Sequence, residues 1–266
     1  MIYLHNGSKS PTVATLQVLI SAGIKVDGVY GAKTEARVRA YQKEHKPPLK
    51  VDGAVGRYTW SALMTENDVV TIDVVDMVEQ VVPDTHGVLH YVMHPLKTFT
   101  GGMLADLRRG GSDPITLYGQ SNSTATMVQA IIQRALRPRR IALLRIYGHG
   151  SAGSQNISAG EEALDEHLTS LDTSTLGWSL PQLQQLARCF APWGAVELRG
   201  CHVGAGASGH SLVKRIAGAV QVPVTAGKHM QYSGLTKSFA IQGPITTGFP
   251  CGGTLGGWAE AASKLK

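Results

Sequence analysis

Charged and aromatic side chains are scarce in this chain. Asp, Glu, Lys and Arg together make up 17% of the 266 residues and Phe, Trp and Tyr make up 6%, whereas glycine occurs 31 times. Much of the surface must therefore consist of Ser, Thr, Gln and Gly, which favours an exported or envelope-exposed protein. The 43% of hydrophobic residues is ordinary for a soluble globular protein.

Long apolar runs are absent. No stretch approaches the length of a membrane-spanning helix, and residues 1–7 have neither the basic nor the apolar segment of a signal peptide. We therefore expect no stable insertion into a membrane. We also expect any export to use a route other than a conventional signal peptide.

Cysteine is rare as well. Cys189, Cys201 and Cys251 cannot all pair within one chain, so at least one thiol stays free. A free thiol is either buried and inert or a candidate nucleophile. For Cys189, which lies in a predicted amphipathic helix, and for Cys251 we favour the inert interpretation.

The formal net charge of +6 favours anionic partners through a long-range attraction that salt weakens. The densest basic stretch, residues 134–140, has no interleaved aromatic residues that would stack on bases. We therefore interpret this stretch as the basic end of a helix and expect no nucleic-acid partner.

A ten-residue pattern occurs twice near the N-terminus. Lys25–Thr34 is repeated as Lys50–Thr59, and each copy contains Val-Asp-Gly, two residues, Gly, two residues and Thr. This spacing predicts a tight turn followed by a helix with threonine as its N-cap, so helices should begin near Thr34 and Thr59. Apolar residues at helical spacing predict three short helices around a small core.

The same segment resembles the peptidoglycan-binding repeat domain, over roughly residues 10–65. The likeness rests on five motifs: Leu16-Gln17, Val26-Asp27-Gly28, Gly31 to Thr34, Tyr41-Gln42, and Val51-Asp52-Gly53 continuing to Thr59-Trp60. The resemblance implies a module that binds wall stem peptides or glycan without catalysis. Since the glycines serve the turns, we expect the ligand groove to use the polar and aromatic residues beside them, namely Asp27, Tyr30, Asp52, Arg57, Tyr58 and Trp60.

The composition changes after residue 66, so we expect two domains, at 1–66 and 67–266. Predicted strands at 69–75, 141–147, 195–200 and 222–226 alternate with predicted helices at 124–136, 183–189 and 209–220. A long loop or hairpin is expected at 95–123. This order predicts a three-layer α/β/α domain with a mainly parallel sheet.

Two residues with catalytic chemistry follow two of these strands. His149 and Cys201 are 52 positions apart, and each lies beside a glycine. Reactive groups in an open parallel sheet collect at the carboxyl ends of its strands. Either residue alone would most often be structural. Together they predict a catalytic dyad, because a thiolate attacks carbonyl groups without an Asp to orient the imidazole.

This arrangement resembles the caspase-like cysteine peptidases, over roughly residues 115–235, and more closely a caspase-like family of bacterial domains with His-Gly-Ser and Gly-Cys motifs. The resemblance implies that Cys201 is the nucleophile and His149 the general base and acid, with the amides of Gly150 and Cys201 as oxyanion donors. Caspases carry Gln-Ala-Cys-x-Gly where this chain has Arg199-Gly200-Cys201-His202-Val203. Their specificity for Asp is therefore not transferred.

A zinc site is the alternative interpretation. The histidines that raise it are His86, His90, His94, His202, His210 and His229. The residues around 86–94 favour a strand over a helix, and no His-Glu-x-x-His motif is present. We expect neither a metal nor another cofactor.

The two resemblances together predict a peptidoglycan-targeted cysteine peptidase or amidase. The first domain would hold the protein on peptidoglycan while the second cleaves an amide bond of a wall peptide. Its expected setting is the periplasm or cell wall of a target bacterium, as an antibacterial effector delivered by secretion machinery, with a cognate immunity protein in the producer. The alternatives are a phage-type endolysin, a caspase-like protease that acts on proteins and is only localised at the wall, and a non-catalytic wall-binding protein.

Overall fold

The computed structural model describes residues 3–20, 23–76, 80–83, 89–92, 99–117, 123–138, 140–157, 170–232 and 240–265. These segments contain eight α-helices: Pro11–Leu19 (α1), Ala32–Glu44 (α2), Arg57–Glu66 (α3), Phe99–Arg109 (α4), Ser123–Ala135 (α5), Leu176–Gln184 (α6), Gly206–Val220 (α7) and Leu255–Ser263 (α8). None of these helices is long and apolar enough to cross a membrane.

The same segments contain eleven strands: Val70–Asp76 (β1), Gln80–Pro83 (β2), Leu89–Val92 (β3), Ile115–Leu117 (β4), Ile141–Tyr147 (β5), Gly150–Ser151 (β6), Ser154–Asn156 (β7), Ser170–Asp172 (β8), Phe190–Leu198 (β9), Val224–Gly227 (β10) and Ile245–Gly248 (β11). Strands β2 and β3 form a small sheet, and β6, β7 and β8 form another.

Six strands form the main sheet, in the order β11-β10-β9-β5-β1-β4, and only the β10–β11 pair is antiparallel. The prediction of a mixed α/β chain with a mainly parallel sheet is confirmed. Every residue of β5 is buried, as expected of an inner strand covered on both faces. The chain runs from β1 to β4 on one side and continues with β5 on the other, and such a switch point opens a crevice at the carboxyl ends of the strands.

Helices α5, α6 and α7 cover one face of the main sheet. Alternate residues of β5 and β9, among them Leu144, Ile146, Val196 and Leu198, pack with apolar side chains of these helices in one core. The helix predicted at 124–136 is confirmed as α5. The helix predicted at 209–220 is confirmed as α7, which begins three residues earlier, at Gly206.

Helix α1 packs against the opposite face, so that the N-terminal helices and the sheet share a core. All nine residues of α1 are buried. Thr15 Oγ1 donates a hydrogen bond to the backbone carbonyl of Trp193 at 2.7 Å, and Thr12 Oγ1 donates to Glu197 at 2.6 Å. The C-terminal helix α8 packs beside α1 on the same face.

Helices α2 and α3 each begin two residues before the threonine that was expected to cap them. The prediction that Thr34 and Thr59 are N-caps is wrong, because a glycine occupies each N-cap position. The threonine hydroxyls instead accept hydrogen bonds from the side chains of Gln17 and Gln42. The repeated threonine therefore serves a tertiary contact and not the local helix start.

Two other local predictions are wrong. Helix α4 and strand β4 occupy much of residues 95–123, where a loop or hairpin was expected, because two glycines in α4 obscure the helical spacing of Leu104 and Leu107. The helix predicted at 183–189 lies earlier in the chain. Pro181, which precedes the predicted helix, lies inside α6, and Ala187–Cys189 forms only a short 3-10 turn.

A row of polar side chains crosses the face of the sheet that α1 covers. The strand register pairs Asp73 with Arg145, and Arg145 with Glu197. It continues the row by pairing Glu197 with Thr225, and Thr225 with Thr247. Five adjacent strands thus each contribute one residue to this polar row. Burial of charged groups is costly unless they are paired, so the row restricts what can pack on it.

The polar row begins, on β1 and β5, with an ion pair between Asp73 and Arg145, whose side chains are 1% and 0% exposed. Arg145 donates to both carboxylate oxygens, from Nε at 2.6 Å and from Nη2 at 2.8 Å. Burial alone would raise the pKa of Asp73, but the adjacent guanidinium holds this pKa below its ordinary value. Ser112 also donates to the carboxylate, which ties the segment after α4 to β1.

We predict that Arg145→Met lowers the free energy of unfolding by about 3–5 kcal/mol, because it leaves the Asp73 carboxylate buried without its cation. Chemical denaturation of the variant and the parent chain measures the difference. The matched control is Arg39→Ala, which breaks an exposed ion pair with Glu35 and should cost no more than about 1 kcal/mol. Equal losses in the two variants would contradict a central role for the buried pair.

Candidate active site

His149 and Cys201 lie beyond the carboxyl ends of two neighbouring parallel strands. Strands β5 and β9 pair with an offset of 52 positions, as the pairing of Ile146 with Leu198 shows. His149 and Cys201 are separated by the same 52 positions. The two residues therefore occupy equivalent places on adjacent loops, at the edge of the sheet where α/β proteins hold their ligands.

The backbones of these two loops approach each other closely. A Cβ atom placed on Gly200 would lie 2.9 Å from the carbonyl oxygen of His149. One placed on Gly150 would lie 3.1 Å from the carbonyl oxygen of Cys201 and 2.5 Å from Val203. Since a side chain at either position would displace its neighbours, both glycines are needed for the contact between the loops.

A buried glutamine holds the two loops together. Gln155 on β7 has no exposed surface. Its Oε1 accepts a hydrogen bond from the backbone N–H of Gly200 at 2.8 Å, and its Nε2 donates to the carbonyl of Asn156 at 3.0 Å. The N–H of Asn156 in turn donates to the carbonyl of His149 at 2.9 Å. A continuous chain of hydrogen bonds thus links the His149 loop to the Cys201 loop.

The sulfur of Cys201 contacts the segment after β10. The backbone N–H of Gln231 donates to Sγ at 3.3 Å, and the thiol lies 3.6 Å from the carbonyl oxygen of the same residue. A backbone N–H directed at sulfur stabilises the thiolate. Met230 and Tyr232, on either side of Gln231, are 49% and 50% exposed. They present apolar surface beside a partly exposed cysteine.

The turn that carries Cys201 is anchored to the end of β10. The N–H of His202 donates to the carbonyl of His229 at 3.0 Å, and the N–H of Gly204 donates to that of Gly227 at 2.8 Å. His202 adopts a left-handed conformation, with φ of +60°. The turn is therefore fixed by backbone contacts that do not involve the sulfur.

Two buried guanidinium groups flank the last residue of β5. The guanidinium carbons of Arg145 and Arg199 lie 5.7 Å and 5.5 Å from the ring centroid of Tyr147. Burial raises the pKa of Tyr147 to about 12, so its phenol stays protonated at neutral pH. The Tyr147 ring therefore interacts with two positive charges at the carboxyl end of β5.

The other two cysteines are elsewhere. Cys189 lies at the end of the 3-10 turn before β9, where it is buried, and burial raises the pKa of its thiol. Cys251 is exposed in the turn after β11. Both are free thiols, as is Cys201.

The sequence repeat forms two matching hydrogen-bond networks in the N-terminal helices. Gln17 Nε2 donates to Asp27 Oδ1 at 3.0 Å, and Gln42 Nε2 donates to Asp52 Oδ1 at 3.1 Å. In each copy the glutamine Oε1 accepts two backbone N–H groups of the same turn. The two aspartates, which we predicted to contact wall ligand, are thus engaged in holding the turns.

The remaining residues predicted to contact the wall fall into two groups. Tyr30 has no exposed surface and donates its hydroxyl to a backbone carbonyl, and Trp60 is only 4% exposed. Arg57 and Tyr58 lie side by side nearer the surface, with the guanidinium 4.4 Å from the ring centroid, and Tyr58 is 67% exposed. Arg57 and Trp60 also line a cavity of about 500 Å³ between α3 and β1.

The histidines considered for a zinc site do not come together among the described residues. His86 and His94 fall outside those residues, and His90 lies on β3. Within the described part of the chain, no group of three or more His, Cys, Asp and Glu side chains could hold a metal ion.

The sequence did not point to the buried Gln155 and Gln231, or to the apolar pair of Met230 and Tyr232 beside Cys201. Gln155 and Gln231 belong to no motif, because a side chain that joins two loops is recognisable only once those loops are adjacent in space. Met230 and Tyr232 likewise gain meaning only from the contact of Gln231 with the sulfur.

Fold and site together define a mixed α/β protein that carries a cysteine and a histidine at the carboxyl edge of a parallel sheet. The chain belongs to the family described as "Domain of unknown function (DUF4347)", which matches residues 102–234. Residues 12–63 match the family described as "Putative peptidoglycan binding domain". That match supports peptidoglycan as a partner and a location at the cell wall. No curated protein and no solved structure matches the chain.

We predict that iodoacetamide modifies Cys201 faster than Cys189 at neutral pH, because the buried Cys189 has a raised pKa and forms little thiolate. Replacing His149 by Ala should slow modification of Cys201 at least about tenfold, since no imidazole then takes the thiol proton. Mass spectrometry of the alkylated peptides gives both rates, with exposed Cys251 as an internal reference. An unchanged rate at Cys201 would show that His149 does not activate the sulfur.

We predict that Gln155→Leu lowers the free energy of unfolding by about 1–3 kcal/mol, because the buried N–H of Gly200 loses its acceptor. The control is Gln184→Ala at an exposed position of α6, which should change stability by less than about 0.5 kcal/mol. Denaturant titration of both variants measures the effect. If the two losses are equal, close packing alone holds the loops together.

Proposed function

We propose that the protein is a cysteine peptidase or amidase that hydrolyses an amide bond in cell-wall peptides. The observation that carries this proposal is the shared offset of 52 positions, which places His149 and Cys201 on adjacent loops beyond β5 and β9. The close approach of the two loops and their link through Gln155 support it further.

In the proposed reaction, Cys201 Sγ attacks the carbonyl carbon of the scissile amide while the His149 imidazole takes the thiol proton. The tetrahedral intermediate collapses to a thioester as the C–N bond breaks, and His149 gives the proton to the leaving amine. Water, deprotonated by the same imidazole, then hydrolyses the thioester and restores the thiol. The N–H of Gln231, which donates to Sγ, stabilises the thiolate before each attack.

The amides of Gly150 and Cys201 are the proposed donors to the oxyanion. Their loops pack against each other, since a Cβ atom placed on Gly150 would lie 3.1 Å from the carbonyl oxygen of Cys201. Donors that are fixed in place before the reaction stabilise developing charge without reorganisation. The exposed Met230 and Tyr232 then provide apolar surface for a substrate side chain beside the sulfur.

We extend the proposal to a caspase-like fold for the second part of the chain. The features that support this are a mainly parallel sheet, apolar helices packed on it, and a histidine and a cysteine that each follow one of two neighbouring strands. The division into a three-helix peptidoglycan-binding domain at 1–66 and a peptidase domain at 67–266 is part of the same proposal.

A wall substrate is proposed because the match over residues 12–63 supports binding to peptidoglycan. The pair formed by the half-buried Arg57 and the exposed Tyr58 is the surface on which we place the wall contact. The biological setting that we propose is an antibacterial effector that acts in the periplasm or wall of a target cell. A cognate immunity protein would then protect the producer.

We predict that incubating purified sacculi with the protein releases muropeptides with newly formed amino and carboxyl ends. Cys201→Ala should reduce this release at least about a thousandfold, because the nucleophile is lost. His149→Ala should reduce it to a similar level, since the two residues act as a unit. Chromatography with mass spectrometry of the soluble products measures the release and identifies the bond that is cut.

Cys251→Ala is the matched control, because it removes an exposed thiol away from His149 and Cys201 and should leave release unchanged. Denatured protein offered as a second substrate separates the wall hydrolase from a protease that is only localised at the wall. Release that persists in Cys201→Ala would end the proposed role of the dyad. Sacculus binding without any hydrolysis would identify a non-catalytic wall-binding protein.

A further inference from the structure

A cavity of about 610 Å³ lies between the N-terminal segment at residues 3–11 and strands β9, β10 and β11. This volume is in the range of small-ligand sites. The cavity is distinct from the candidate active site at His149 and Cys201. Glu197, which lines it, lies on β9 four residues before Cys201, and neither His149 nor Cys201 lines the cavity.

The floor of this cavity is the end of the polar row. Glu197, Thr225 and Thr247 all line it, from three adjacent strands. Glu197 is 7% exposed, and the hydroxyls of Thr225 and Thr247 lie 3.0 Å apart. A carboxylate and two hydroxyls at the base of a cavity present hydrogen-bonding groups to any ligand that enters.

Glu197 has acceptor capacity to spare among the described residues. Its Oε1 accepts one hydrogen bond, from Thr12, and can accept a second, whereas its Oε2 is enclosed and lies 3.6 Å from Arg199. The nearby buried charges already balance, two carboxylates against two guanidinium groups. A neutral donor such as an amide N–H or a hydroxyl therefore suits this floor better than a cation, which would add an unbalanced buried charge.

The walls and the rim of the cavity differ in character. The walls include apolar side chains: Leu4, Ile241, Pro244, Phe249 and Leu255. The rim carries the exposed His5 and Lys9. Ser10 and Pro11, at the N-terminus of α1, also line the cavity, and the first turn of this helix has no acidic side chain. Pro11 has no N–H and the Ser10 side chain caps Val13, so the Lys9 ammonium, together with the positive end of the α1 dipole, favours an anionic group at the rim.

We infer that this cavity binds the carboxyl-terminal end of a peptide. The last amide N–H of the peptide donates to Glu197, its small terminal side chain packs on the apolar wall, and its carboxylate lies at Lys9 and the α1 N-terminus. One short segment meets all three features, because a donor, a side chain and a carboxylate occur together at any peptide C-terminus. The site is independent of the proposed chemistry at Cys201.

Two sources share this chemistry, wall stem peptides that end in D-residues and protein chains that end in L-residues. Isothermal titration calorimetry of N-acetyl-D-Ala-D-Ala and N-acetyl-L-Ala-L-Ala distinguishes them. The titrations use the 266-residue chain with Cys201→Ala, so that no turnover contributes heat and the result does not depend on catalysis. The C-terminal amide of each dipeptide is titrated in parallel.

We predict that at least one dipeptide binds and that its amide binds about two- to fivefold more weakly, the size expected of one lost exposed charge contact. Lys9→Ala should weaken the free acid to the same extent, whereas Lys43→Ala, at an exposed position of α2, should not. Glu197→Gln should weaken acid and amide alike, because the side chain then has one acceptor oxygen in place of two and carries no charge. Binding of the D-dipeptide alone identifies a wall ligand, and binding of the L-dipeptide alone identifies a protein C-terminus.

Two results would overturn the inference. One is the absence of binding by both dipeptides up to about 10 mM, far above the affinity expected of a specific site. The other is binding that neither Lys9→Ala nor amidation of the dipeptide weakens, since the ligand would then occupy a different place. Circular dichroism checks that the Glu197→Gln variant is folded. If it is not folded, Lys9→Ala still tests the inference, because this change is at an exposed position.

Discussion

The buried ion pair between Asp73 and Arg145 determines what can cover the sheet. A guanidinium and a carboxylate in the centre of a sheet face exclude a purely apolar helix from that face unless neighbouring polar groups complete the network. The network continues to Glu197 in the next strand, and the hydroxyl of Thr12 on α1 donates to that carboxylate. The N-terminal helices are therefore matched to this one face by hydrogen bonds as well as by apolar packing.

Buried glutamine is the second recurring device of this protein. Gln17, Gln42, Gln155 and Gln231 are each no more than 3% exposed, and each joins backbone segments that are separate in the chain. A primary amide offers two donors and an acceptor oxygen without carrying a charge. It can thus satisfy several buried peptide groups at once and avoid the desolvation cost of an ionised side chain. In a chain with few charged residues, this is an economical way to fix loops.

Periodicity and motif spacing predicted much of the sheet, and tertiary contacts account for the errors. The apolar run of β5 and the helical spacing of α5 are local signals, and both elements were predicted correctly. Thr34 looked like a helix cap because its partner, Gln17, is recognisable only in three dimensions. Tyr30 and Trp60 were predicted to contact ligand, and the sequence does not show that both side chains are interior. The adjacency of the His149 and Cys201 loops follows from the strand register, whereas the amide that holds them together does not.

Only residues 67–69 separate the end of α3 from the start of β1, and α1 lies directly on the sheet. A long flexible spacer lets a tethered group search a sphere around its anchor. Here the connection is too short to allow such a search. A ligand bound to the N-terminal helices is therefore held at a constant distance and angle from the loops after β5 and β9. A repeating polymer bound in this way would present the same chemical bond to the same loops in every binding event. The repeat length of the polymer, and not diffusion of a tethered domain, would determine which bond that is.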